Sequence, residues 1–249
     1  MTSLITKEEY KERLLMFISY CKSVNLDNLK NMLEDASNVK GDYESNPSKP
    51  TLNNIKSTGE TAFQRAIFNN KEVVIDYNGL KENEKVKWLD LELPVVLNKN
   101  PRRPCIDLIG ALDGIPVICE LKYAESSNSD HPIYGIVELL IYYYFIHCNY
   151  EKLDKYSVHH SLVLKDFKWS TIANNGFPKI MLTANSKYWN YWFGRENKAE
   201  FLKTVTNLAK MLDVNLACYE ANDENFNEQK GDMEQYTPVL TSNIWKRIA

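Results

Sequence analysis

Asp107, Glu120 and Lys122 interrupt two otherwise apolar runs in "RRPCIDLIGALDGIPVICELKYAES", residues 102–126. Two carboxylates beside an ammonium are the side chains that hold a hard divalent cation and offset the charge around it. Whether they can act together depends on the intervening chain. Asp113-Gly114 separates the runs, and Asp-Gly predicts a two-residue type I′ hairpin. Leu112 then faces Ile115, Asp107 falls opposite Glu120, and Cys105 opposite Lys122.

Alternation along the strands puts Asp107, Glu120 and Lys122 on one face with Ile109, Ala111, Pro116 and Ile118. The opposite face carries Ile106, Leu108, Val117, Cys119 and Leu121, so both faces are apolar. Directly opposed like charges are destabilising. A cation shared by both carboxylates, or a neighbouring ammonium, relieves them. The simpler explanation has Lys122 neutralise Glu120 at a solvated strand end while Asp107 caps a bend. The letters D…ExK recur by chance in any chain of this size; the register, the shared face and the doubly apolar setting favour the cation site.

The elements around the hairpin follow from periodicity and capping signals. Thr6 to Glu9 reads as a capping box before a helix through about Ser23, followed by a short helix near 26–37. The polar stretch "NVKGDYESNPSKPTLNN" reads as a linker, which makes 1–56 an N-terminal helical extension. A helix is predicted over 58–70, with Glu60, Phe63, Gln64 and Ile67 along one side, and a strand over 86–98. After the hairpin come an apolar helix at about 131–148, strands in "HHSLVLKDF" and "PKIMLTA", helices in "SKYWNYWF" and "ENKAEFLKTVTNLAKML", and a strand in "VNLACYE". Residues 221–249 read as a tail of no determined structure. This order predicts one α/β core over 57–220 with a central mixed sheet.

Ile106-Asp107, a hairpin, then Glu120-Leu121-Lys122, between a helix bearing Glu60 and an apolar helix, resembles the PD-(D/E)XK nuclease superfamily. The likeness covers roughly residues 57–185 and departs at the first position, where Ile106 precedes Asp107 and the nearest proline is Pro104. It implies a restriction-endonuclease-like fold: a central mixed sheet flanked by helices. It also implies a Mg²⁺-dependent nuclease cutting DNA phosphodiester bonds, with Mn²⁺ substituting. Asp107 and Glu120 would coordinate the metal with a carbonyl near Leu121, and Lys122 would orient or help deprotonate the attacking water. Glu60 resembles the upstream helix glutamate that some members place beside the metal; a first-turn glutamate favourable to the helix dipole explains it equally.

Other residues carry weaker signals. Glu138, inside the apolar helix, suits a supporting contact to the site or a paired structural role. Asp90 and Glu92 would extend an acidic site, but a solvated edge strand accounts for them more simply. Arg102, Arg103 and Lys99 suit phosphate contacts at the site's rim, as they suit a solvated loop. The aromatic run at 186–195 suits base stacking, though such density more often marks a core. His159-His160 has no metal-ligand spacing.

The whole chain narrows the field further. A net charge of −3 provides no global basic field for nucleic acid. The five cysteines are scattered and read as reduced thiols of a cytoplasmic protein. No signal peptide, membrane span or glycine-rich nucleotide loop is predicted. Cutting both strands of a duplex would favour a homodimer. The rival expectations are a catalytically inactive module of the same fold binding nucleic acid or protein, and a metal-dependent hydrolase of a small phosphate ester.

Overall fold

The computed structural model describes residues 59–76, 84–94, 105–124, 130–156, 170, 179–195, 197–221, 240 and 242–249. The predicted N-terminal helices, the predicted strand at 159–167, Lys99, Arg102, Arg103 and His159-His160 lie outside them.

Among the described residues the chain runs α1 (Glu60–Asn69), β1 (Glu72–Asp76), β2 (Glu84–Pro94), β3 (Cys105–Leu112), β4 (Ile115–Lys122) and α2 (Pro132–Tyr156). It continues through β5 (Lys179–Asn185), α3 (Ser186–Phe193), α4 (Lys198–Leu212), β6 (Asn215–Ala221) and β7 (Ile244–Arg247). The β3–β4 hairpin has the predicted register from Leu112↔Ile115 to Leu108↔Cys119. Asp113 and Gly114 sit at φ 50° and 83°, the left-handed pair that a type I′ turn requires.

The expectation of an open central sheet flanked by helices, as in a restriction-endonuclease-like core, is overturned. The seven strands close into a barrel in sequence order, β1 returning to β7 through a parallel pairing from Val74↔Ile244 to Asp76↔Lys246. The two strands that close it are the two that sequence reading left unassigned. At five and four residues, β1 and β7 are too short to show a period, and the parallel pairing that closes the ring joins segments remote in sequence. Asn70 braces the closure: its side-chain amide exchanges hydrogen bonds with the backbone of Leu240, both at 3.2 Å.

Closure gives the sheet an enclosed and an outer face. The cluster that draws on all seven strands, including Val73, Trp88, Leu108, Leu121, Met181, Tyr219 and Trp245, occupies the enclosed side together with Phe63 and Ile67 of α1. The outer cluster joins Ile109, Ile118 and Leu182 to the buried faces of α2, α3 and α4. Leu93 and Ile106, paired across β2 and β3, belong to that outer cluster. Strict alternation predicts Ile106 on the face of Leu108; near Asp107 the strands depart from it.

Trp245 is fully buried and packs on Trp88 with ring centroids 5.5 Å apart. Replacing Trp245 with Ala should cost about 3–5 kcal/mol, read as a lower urea midpoint, because the ring closure loses its largest apolar contact.

Candidate functional site

β4 carries two of the charged residues at its C-terminal end, on a strand buried on both sides between β3 and β5. Lys122 donates from Nζ to Glu120 Oε1 and to Glu138 Oε2, each at 2.9 Å. Both β4 side chains are nearly shut off from water, at 11% and 8% exposure. Glu138 reaches them from α2, which can approach because Gly135 lies at the crossing. A Cβ there would stand 2.6 Å from Leu182 Cδ1 and 3.1 Å from Lys122 Cε.

Asp107 is held differently. The β3–β4 ladder ends at Leu108↔Cys119, while β3 continues against β2 to Pro94↔Cys105. The predicted direct pairings of Asp107 with Glu120 and of Cys105 with Lys122 therefore do not form. Instead Asp107 Oδ2 accepts the Leu121 N–H at 2.7 Å, taking a donor that the ladder no longer satisfies. Gln64 Nε2 of α1 donates both to Asp107 Oδ1, at 3.2 Å, and to the Asp107 carbonyl, at 2.9 Å. Glu60, an exposed residue one turn earlier on α1, accepts from the Tyr123 backbone N–H. The strands part at the rim, and the carboxylates gather in the gap.

Next in the chain, Asn185 fixes Ala124. Its side chain accepts from Ala124 N at 3.1 Å, donates to Ala124 O at 2.9 Å, and caps α3 by accepting from Tyr188 N.

Four carboxylates thus act on one ammonium. Burial alone would lower the Lys122 pKa, but Glu120, Glu138, Asp107 and Glu60 outweigh it and hold the pKa well above the ordinary lysine value. Lys122 is therefore held as a cation at neutral pH. For three of the acids burial wins over the nearby ammonium and favours the neutral form. Desolvation, reinforced by Asp107, raises Glu120 well above the carboxylate range. Desolvation and then Glu60 push Asp107 up to about 7. Desolvation also raises Glu60.

The donor set fits a hard cation. Among the described residues no group of three or more His, Cys, Asp or Glu side chains is placed to hold a metal ion. Asp107 and Glu120 form a smaller set, suited to an ion that keeps several waters. Glu120 Oε2 is buried with no hydrogen-bond partner among the described residues. An orphaned carboxylate oxygen amid surplus negative charge is a place for a proton or a cation.

Asp107, Glu120, Lys122, Glu60 and Glu138 thus come together as one electrostatic cluster. Leu121 joins it through its N–H, its side chain lying in the enclosed core. Asp90 and Glu92 do not fit a solvated edge strand, because β2 runs between β1 and β3. Asp90 is fully buried and accepts from Leu91 N at 2.9 Å. In α3, Tyr188 and Trp189 are core residues, while Arg195 lies 3.6 Å over the half-buried Tyr191 ring. Gln64 was not assigned a role from sequence; its only signal was its place one helical turn after Glu60.

No family model, curated protein or solved structure matches the chain. No described helix is long and apolar enough to cross a membrane.

The raised acids set a pH dependence. Folded Asp107 keeps its proton up to about pH 7, whereas its ordinary value is 3.8, so between those limits the unfolded chain binds fewer protons and stability falls as pH rises. In chelator, the unfolding free energy should drop between pH 4 and 7 by on the order of 2 kcal/mol, with allowance for screening at half-buried Asp107. Asp107→Asn should flatten that slope in urea titrations across the range.

Proposed function

We propose that the chain is a Mg²⁺-dependent nuclease, with Mn²⁺ substituting, hydrolysing DNA phosphodiester bonds at the rim where β3 leaves β4. The observation that carries the reading is the unpartnered Glu120 Oε2 in a cluster of four carboxylates around one ammonium. The likeness of Ile106-Asp107 and Glu120-Leu121-Lys122 to the PD-(D/E)XK motif supports it at the level of the motif alone. The fold expected from that likeness does not hold.

Asp107 and Glu120, with a main-chain oxygen near Leu121, would hold the ion. Bound there, it would supply a polarised phosphate and a water of lowered pKa. The chain's own residues do the rest. Gln64 and the Leu121 N–H fix the Asp107 carboxylate. Glu138 holds Lys122 alongside Glu120, which uses two of its three donors and leaves one for a phosphate oxygen. The protonated ammonium then offsets charge developing on phosphate. Glu60, on the open side with a raised pKa, is placed to exchange a proton with solvent. Arg102 and Arg103 would contact the DNA backbone, a homodimer would suit cutting of both strands, and a cytoplasmic site is in keeping with the unbridged Cys105, Cys119 and Cys218.

One observation favours a second reading, a catalytically inactive module that binds nucleic acid or protein. Lys122 is clamped between Glu120 and Glu138 with little exposure, as a purely structural ion pair would be.

Incubating supercoiled and linear DNA with Mg²⁺, Mn²⁺ or EDTA separates the two. A nuclease cuts only with metal and loses at least about 10²-fold in rate on Glu120→Ala and on Lys122→Ala, each checked for folding by circular dichroism. Folded wild type that neither cuts DNA nor binds Mg²⁺ by calorimetry leaves the binding module.

A further inference from the structure

The Asp107 carboxylate is oriented from a distance. Arg65, the residue after Gln64 on α1, is almost fully buried, yet it is a cation that can only donate. Its Nη1 donates to Gln64 Oε1, and its Nη2 donates to Glu92 Oε1 at 2.7 Å. An amide oxygen facing a permanent donor leaves the amide only one orientation, with Nε2 turned away from the guanidinium. That nitrogen meets Asp107 Oδ1 and the Asp107 carbonyl.

The outer end of this chain is built with strain. Glu92 sits at φ 50°, a left-handed backbone that a glutamate adopts at a cost, four residues beyond Trp88 where the β2–β3 register shifts. A regular β2 would need neither feature. The irregular stretch carries the Glu92 carboxylate to a cation on the helix enclosed by the barrel. Glu92 is itself 39% exposed, but the guanidinium it reaches is at 5% exposure and needs a counter-charge.

We propose that Glu92, Arg65 and Gln64 form a positioning relay that aims Asp107 at the cation site, setting metal affinity without touching the metal. The proposal rests on the nuclease reading above. Hydrogen-bonded partners behind a ligating carboxylate fix its direction, and their loss typically weakens metal binding by 10- to 100-fold. Gln64 does two further things that a generic core amide would not. It satisfies the Asp107 carbonyl at the point where β3 leaves β4, and it ties α1, which carries Glu60, to the same residue.

The test is calorimetric titration of Mg²⁺ into the full chain, with cleavage followed against Mg²⁺ concentration. Gln64→Met keeps the side chain's length and removes both donors. It should raise the Mg²⁺ Kd about 10- to 100-fold and shift half-maximal cleavage to correspondingly higher Mg²⁺, with much of the rate recovered at saturating metal. Arg65→Lys keeps the charge but cannot hold Gln64 and Glu92 in one fork, and should raise Kd by a smaller factor, about 3- to 10-fold. Should Gln64→Met fail to fold by circular dichroism, Arg65→Lys alone decides. Folded variants that bind Mg²⁺ within about twofold of a metal-binding wild type would overturn the relay and leave the nuclease reading intact. A wild type that binds no metal would overturn both.

Discussion

A single buried ammonium organises this molecule's charged end. Lys122 Nζ lies 2.9 Å from a carboxylate on its own strand and 2.9 Å from one on α2, and Asp107 and Glu60 add to its field. Four carboxylates cannot share one positive charge without remainder. Burial forbids leaving that remainder as free negative charge, so it must be met by protons, by water or by a cation. The raised acids, the orphaned Glu120 oxygen and the fixed Lys122 proton are consequences of that one imbalance.

The barrel explains why the imbalance sits where it does. Within the sheet each strand's donors are taken by its neighbours, so a carboxylate finds backbone N–H groups only where a ladder stops. β3 stays with β2 and leaves β4, which frees the Leu121 N–H for Asp107. α1 is enclosed by the same curvature, which brings Gln64 and Glu60 to the gap from inside, while α2 brings Glu138 from outside. An open sheet could seat the Lys122–Glu138 contact. Enclosure sets α1 opposite it, on the other side of the parting strands.

The hairpin was legible from sequence because its determinants are local: Asp-Gly fixes the turn, the turn fixes the register, and alternation fixes the face. That logic held until Asp107, where a side chain replaced a ladder acceptor and direct opposition to Glu120 gave way. β1 and β7 were not legible, since both are too short to show a period and the pairing that closes the ring joins segments far apart in sequence. Their omission turned a closed sheet into an expected open one. Gln64 was invisible for a related reason. A glutamine on an amphipathic helix carries no chemical signature, and its role comes from Arg65 behind it and Asp107 in front, residues brought together only by the tertiary fold.

The net charge of −3 bears on the same site. Among the described residues, the surplus of acidic groups over the one ammonium gives this rim no cationic field to attract a polyanion. On the proposed nuclease reading, a divalent cation held by Asp107 and Glu120 would offset charge there and make the rim less repulsive to a phosphate. On that reading metal and substrate binding would be thermodynamically coupled, each strengthening the other by the same factor. For the inactive alternative the clamp alone suffices, because two carboxylates on one ammonium satisfy Lys122. The clamp does not pair Glu120 Oε2 among the described residues, and that buried oxygen calls for either a proton or a cation.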